Sequence, residues 1–211
     1  MPALAKARPA LPAKPLPEVA ESRAARRKRE TEARLLDAGL RVFCERGYDA
    51  ATTGEIARVA DVAAGTFYVH FRDKRAIYER LAGRTAHDML ERALAALEPE
   101  MTSIERVSAA LRIVAEYWRA DLERARLLLE GGPSLGSDGH VRFVGEIAQI
   151  LADAPDLGDR PGSTPHSLAL LAAGMGIELG RLIVARPEAT DEAEDLIRLV
   201  ESFDERGRRG P

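Results

Sequence analysis

Between Ala33 and Leu81 the apolar residues recur at helical spacing in runs too short to make stable helices alone, and this constrains the chain more than any other feature. Leu36, Leu40 and Phe43 fall at i, i+4 and i+7, with Ala33 one turn earlier. One face of a first helix is therefore apolar, and Gly47 is placed to end it. Thr52-Thr53-Gly54-Glu55 has the spacing of a capping box, in which a hydroxyl and a carboxylate each satisfy free amides of a first turn. The pattern predicts a short helix over residues 53–60 with Ile56 and Val59 buried, a tight turn at Asp61-Val62, and a third helix over residues 63–71. Asp73 is placed to cap a fourth helix that opens with Lys74 and carries Ile77 and Leu81 on its inner side.

Further along, Ile104, Val107, Leu111, Val114, Trp118 and Leu122 step by three or four, and Leu127 to Leu129 belong to a short helix that stops at Gly131-Gly132-Pro133. Helices are expected over residues 141–152, 166–185 and 191–203, the last with Thr190 as its cap, and residues 158–165 read as a loop. No period-2 run is long enough to build a sheet, so the fold class is all-α. Five prolines among the first 17 residues fix φ and remove backbone donors. The expected organisation is a disordered tail over residues 1–21, a three-helix unit over 22–80 and a larger helical domain over 81–211.

Charge is split along this division. The net charge of −3 combines +1 over residues 1–21, +4 over residues 22–80 and −8 over residues 81–211. A basic front and an acidic back indicate that the front meets a polyanion, since phosphate contacts require Lys and Arg at the surface. Arg23, Arg26, Arg27, Lys28 and Arg29 concentrate that charge just ahead of the first apolar stripe. A single cysteine, Cys44, excludes an internal disulfide and a cysteine-based zinc cluster and agrees with a reducing compartment. The first 21 residues lack the apolar core of a secretory signal, and no run of 18 apolar residues occurs, so a cytoplasmic protein without a membrane span is expected. No glycine-rich phosphate loop, nucleophile elbow or histidine pair at metal-ligand spacing occurs; His70, His87, His140 and His166 are scattered. Neither catalysis nor a metal or other cofactor is therefore expected.

Three short helices with the second and third joined by a tight turn form a helix-turn-helix. The run Leu35-Leu36-Asp37-Ala38, Phe43, Glu45-Arg46-Gly47-Tyr48, Thr52-Thr53, Ile56-Ala57, Val62 and Gly65-Thr66-Phe67-Tyr68-Val69-His70-Phe71 with Lys74 resembles the DNA-binding domain of TetR-family regulators. The resemblance covers about residues 30–80. It assigns Thr53, Tyr68, His70 and Lys74 mainly to phosphate contacts and places Ala64, Thr66 and Val69 at base edges, with Thr52 and Gly65 completing the DNA-facing set. Two departures follow from the residues themselves. Ala63 stands where Ser or Thr is frequent, which removes a cap worth about 1 kcal/mol. Ala64 and Gly54 offer no long polar side chain. The base-facing set therefore suits thymine methyls and DNA shape, with the Arg23–Arg29 cluster as a candidate minor-groove arm.

The resemblance implies a ligand-responsive regulator, a repressor in the first instance, that binds a near-palindromic double-stranded DNA operator as a homodimer and is released by a small-molecule inducer. The alternative is a DNA-binding activator or architectural protein without small-molecule input. Over residues 168–182, Leu168, Leu171, Met175, Leu179 and Leu182 form one stripe among small residues. With Leu196, Leu199, Val200 and Phe203 they suit a four-helix dimer interface. Tyr117, Trp118, Phe143, His166 and Met175 are the aromatic or soft side chains placed to line a ligand cavity.

Overall fold

The computed structural model describes residues 22–132, 137–157, 164–188 and 190–208, and every regular element among them is a helix. The expected tail at residues 1–21 and most of the expected loop at 158–165 lie outside the described residues.

Helix α1 (Arg23–Ala50) starts from Ser22, whose hydroxyl accepts the Ala25 amide at 3.1 Å. Leu35, Leu36, Ala38, Val42 and Phe43 form its buried face. Gly47 interrupts it with φ 77° and ψ 160°, a conformation that only glycine adopts cheaply. One more turn follows, so the expected stop is a break near the end of the element. Helix α2 (Thr53–Val59) opens with the Thr52 hydroxyl accepting the Glu55 amide at 3.1 Å. The reciprocal half of the expected capping box is missing. The Glu55 carboxylate lies instead 3.4 Å from Arg46 and 3.9 Å from Arg58, where two guanidinium groups offer stronger partners than an amide.

The turn is sharp because Asp61 takes φ 53°, a left-handed geometry that Asp tolerates better than most side chains. The amides of Asp61 and Val62 reach back to the Arg58 and Ala57 carbonyls at 3.1 and 3.0 Å. Helix α3 (Ala64–His70) follows with Ala63 as its N-cap and no side-chain cap bond, as the sequence indicated. Helix α4 (Lys74–Ala95) is capped by the Asp73 carboxylate, which accepts the Ala76 amide at 2.7 Å.

These four helices enclose one core, built on Leu35, Val42, Phe43, Ile56, Phe67, Phe71, Ile77 and Tyr78. α4 continues past residue 80 into the second part of the chain, which comprises α5 (Ser103–Ala120), α6 (Leu122–Leu129), α7 (Ser137–Ala152), α8 (Pro165–Ala185) and α9 (Thr190–Arg208). Val107, Leu111, Trp118, Val144, Ala173, Leu179, Ile183 and Ile197 centre a separate core there. Leu122 does not extend the α5 stripe as its spacing suggested. Asp121 leaves helical geometry and its carboxylate caps α6 through the Arg124 amide at 3.0 Å.

The outer stripe of α8 also differs from the sequence expectation. Leu179 points into the core, whereas Leu170 and Leu171 are exposed, Leu171 at 61%. Leu199 and Phe203 of α9 are likewise half exposed. α8 is, by length and composition, apolar enough to cross a membrane, with a mean hydropathy of 1.8. The sequence reading missed this because Glu178 and Arg181 interrupt the apolar run. In the structure α8 packs against α5, α6 and α7.

Candidate nucleic-acid interface and cavity

The outer side of α3 is held by what lies beneath it. Phe67 is fully buried and its ring meets those of Phe71 and Tyr68, with centroids 5.8 and 5.4 Å apart. With these anchors inside, Tyr68 and Val69 are left 59% and 72% exposed. Ala64 and Gly65 are exposed beside them, and Thr66 and His70 are half buried. Thr53 of α2 meets the Tyr68 hydroxyl at 3.0 Å, which ties the two helices across the same surface. Thr52, one residue earlier, is exposed but its hydroxyl is already engaged as the α2 cap.

A Cβ built on Gly65 meets nothing within 4 Å, and its φ is ordinary. Neither packing nor backbone geometry inside the molecule requires glycine there. Its known cost in a helix, roughly 1 kcal/mol against alanine, is thus unexplained within the monomer. Gly54, Gly83, Gly145 and Gly174 have the same open space.

Two residues of the predicted set have internal engagements or environments that the sequence did not show. Lys74 donates to the Tyr48 and Asp49 carbonyls at 2.6 and 2.9 Å and lies over the Tyr48 ring, 4.5 Å from its centroid. Two of its three donors therefore bolt α4 to the end of α1. His70 has a buried Nδ1 that makes no hydrogen bond. Arg34 was missed entirely; its Nη2 donates to the Ala60 and Asp61 carbonyls at 2.5 and 2.8 Å and fixes the helix-turn-helix bend to α1. Its sequence signal is slight, a position at the edge of the α1 apolar stripe. The Arg23–Arg29 cluster is helical. A helix about 10 Å across is wider than a minor groove of about 6 Å, so this stretch is not an extended arm and only its side chains could reach into such a groove.

In the second domain an apolar cavity of about 110 Å³ opens between α4, α5, α7 and α8. Trp118 and Phe143 line it together with Leu111, Leu129 and Ile147. Tyr117, His166 and Met175 do not. Tyr117, next to Trp118, lies about 100° round α5 from it, where Arg92 lies over its ring and Arg124 donates to its hydroxyl at 3.2 Å. His166 sits exposed in the first turn of α8, and Met175 packs against the core without reaching the cavity. Arg106, 8% exposed, is the charged side chain on the cavity wall, and it donates to four carbonyls, those of Met101, Ile150, Pro99 and Asp153.

The two domains meet through α6. Leu127 belongs to the N-terminal core, while Leu129, two residues on and so on the other side of the helix, lines the cavity. The buried Tyr78 hydroxyl donates to the Leu127 carbonyl at 3.0 Å, and burial pushes the Tyr78 pKa up to about 12. Cys44 is half buried and burial raises its thiol pKa as well, which lowers its thiolate fraction. Among the described residues no group of His, Cys, Asp and Glu side chains is placed to hold a metal ion.

Fold and site together define a helix-turn-helix protein with an appended helical bundle. Residues 35–81, which carry the helix-turn-helix, match the family described as bacterial regulatory proteins, tetR family. It is similar to the uncharacterized HTH-type transcriptional regulator YhgD of Bacillus subtilis (strain 168), at 30% identity over 83 residues, 39% of this chain and 44% of that protein. It is also similar to the HTH-type transcriptional repressor BepR of Brucella suis biovar 1 (strain 1330), at 44% identity over 55 residues, 26% of each chain. The similarity thus spans less than half the length of these relatives. Among solved structures, the regulator FadR from Bacillus subtilis in complex with stearoyl-CoA shares the fold with a TM-score of 0.65, at 18% identity over 80% of this chain and 96% of that one.

Proposed function

We propose that this chain is a cytoplasmic transcription repressor that binds a near-palindromic DNA operator as a homodimer, and that a small apolar molecule entering the cavity releases it. The observation that carries the reading is the outer side of α3, where Tyr68 and Val69 stand exposed on a rigid aromatic base. Ala64, Thr66 and Val69 face base edges, and Thr53, Tyr68 and His70 reach phosphates, with Thr52, Gly65 and the remaining Lys74 donor beside them. Leu170 and Leu171 of α8 and Leu199 and Phe203 of α9 are the exposed apolar residues that a two-fold partner would cover.

The cavity's wall supports an apolar ligand, and a structural neighbour is described in complex with stearoyl-CoA. At about 110 Å³ the cavity is smaller than a void of about 150 Å³ that holds benzene. A longer ligand must therefore part the helices, and that parting is the switch. A ligand that displaces Leu129 moves α6, shifts Leu127 in the N-terminal core and pulls on Tyr78 of α4. By linkage, the factor by which ligand weakens operator binding equals the factor by which operator weakens ligand binding.

Selecting binding sites from random DNA, and then scoring fatty acids and their thioesters for release of the bound duplex, tests the reading. A two-fold symmetric site and at least one releasing compound are the expected results. Enrichment of an asymmetric site would sink the dimer, and no enrichment at all would sink the DNA-binding reading.

A further inference from the structure

The first three turns of α1 do not belong to the helix-turn-helix core. The first buried residue of the helix is Leu35, and every residue from Ser22 to Glu30 is exposed. A helix normally persists because one face packs. This stretch carries instead Arg23, Arg26, Arg27, Lys28 and Arg29 against one acid, Glu30, which pairs with Arg26 at 2.8 Å. It is a charged spur projecting from a packed domain.

Arg34 fixes where the spur points. Its guanidinium holds the carbonyls at the α2–α3 bend, adjacent to the residue that starts the recognition helix. Arg27 and Arg23 precede Arg34 by seven and eleven residues, which at 100° per residue returns each to within about 20° of the same side of the helix. The row Arg23–Arg27–Arg34 thus continues the side of α1 that touches the DNA-reading unit. Eleven residues carry the row about 16 Å beyond the bend. That exceeds the width of a major groove, about 12 Å, so a chain whose α3 lies in the groove carries Arg23 and Arg27 past the groove's edge.

We infer that Arg23 and Arg27 form a second DNA contact, a sequence-independent clamp on the phosphate backbone flanking each operator half-site. The inference rests on the proposed seating of α3 in the major groove. The partner is double-stranded DNA outside the bases that α3 reads, and the chemistry is guanidinium to phosphate oxygen, with counterion release as its driving force. Base readout stays with α3, because a helix lying across the backbone has no groove to enter.

The test is the salt dependence of affinity of the full-length protein for a duplex carrying the selected operator with flanking base pairs. Each phosphate contact contributes about 0.9 to the slope of log K against log salt, so the double variant R23Q/R27Q should lower the slope of a two-fold complex by about 3.6. The sites it selects from random DNA should be those of the parent. R23K/R27K, which keeps the charge, should retain the parent slope, and the parent on a duplex cut at the half-site edges should give the slope of the Gln variant. An unchanged slope for R23Q/R27Q with operator binding retained overturns the clamp and leaves the α3 reading intact. A changed base preference in that variant also overturns it, because the spur would then be reading sequence. Loss of site selection in Tyr68→Ala with the salt slope of non-specific binding retained would show the two contacts to be separate. A parent protein that binds no duplex at low salt overturns both readings.

Discussion

The N-terminal unit and the C-terminal bundle solve opposite packing problems. In the former, Phe43, Tyr48 and Tyr78 interlock with centroids 5.1 to 5.9 Å apart, and Phe67 and Phe71 extend the cluster under α3. Such ring contacts leave little room for repacking. The bundle is built mainly from Leu, Val, Ile and Ala, with Tyr117, Trp118 and Phe143 among them, around a cavity. One region is closely filled by interlocking rings, and the other retains a cavity. The seam between them includes Leu127 and Tyr78, with Leu128 packed against both cores.

The largest expected effect is at the centre of the closely filled region. Phe67→Ala removes a fully buried ring and should cost about 3–5 kcal/mol. Since α3 has no other deep anchor of that size, operator affinity should vanish while the bundle keeps its helical signal. Thermal unfolding followed by circular dichroism, alongside duplex binding, checks this. Retention of full operator affinity would show that the two regions are not distinguished by their cores.

The seam comes next. Tyr78→Phe leaves the buried Leu127 carbonyl without its donor, at a cost of about 1–3 kcal/mol, and should weaken ligand control more than basal DNA binding. It also predicts a pH dependence. The folded pKa of Tyr78, about 12, is above the ordinary tyrosine value. The neutral phenol is therefore favoured by folding, and its contribution is complete below the unfolded pKa of about 10 and lost as pH rises through about 12. Stability of the parent should fall across that window by more than that of Tyr78→Phe. Parallel pH profiles of the two would remove Tyr78 as the group responsible.

The contrast was only partly visible in the sequence. Helical spacing, the Asp73 cap, the uncapped Ala63 and the inward Phe67 and Phe71 could be read directly because each depends on residues within one or two turns. The caps at Thr102 and Asp121 carried the same kind of local signal but were not read. The cavity wall could not be read this way. Tyr117 and Trp118 are chain neighbours that face different sides of α5, and His166 has a composition suited to a pocket but a position in an exposed first turn. Contacts such as Tyr78 to Leu127, 49 residues apart, have no periodic signature. The side of a helix that faces a void is fixed by tertiary packing, whereas a cap is fixed by its neighbours.

Two glycines of α8 sharpen the description of the bundle. A Cβ at Gly180 would lie 2.6 Å from Leu129 Cδ1 and 2.8 Å from Trp118 Nε1, whereas one at Gly176, on the cavity wall, would meet Val114 at an ordinary 3.8 Å. Gly180→Ala should therefore destabilise by about 1 kcal/mol or more as overpacking outweighs helix propensity. Gly176→Ala should stabilise by up to about 1 kcal/mol while narrowing the space for a guest. Melting temperatures of the two variants should move in opposite directions. Equal shifts would mean that the void and the packed wall beside it are mechanically alike.

The smallest expected effect bears on the surface the closely filled region presents. Gly65 has open space around it and an ordinary φ, so Gly65→Ala should raise thermal stability by roughly 0.5–1 kcal/mol through helix propensity alone. If α3 lies against DNA there, the added methyl occupies the space where the two backbones meet, and operator affinity should fall in the variant that is more stable. Opposed signs in two assays of one substitution are hard to produce by damage to the fold, since damage lowers both. A variant both more stable and equally tight on its operator would place Gly65 away from the interface and turn the exposed side of α3 toward a different register in the groove.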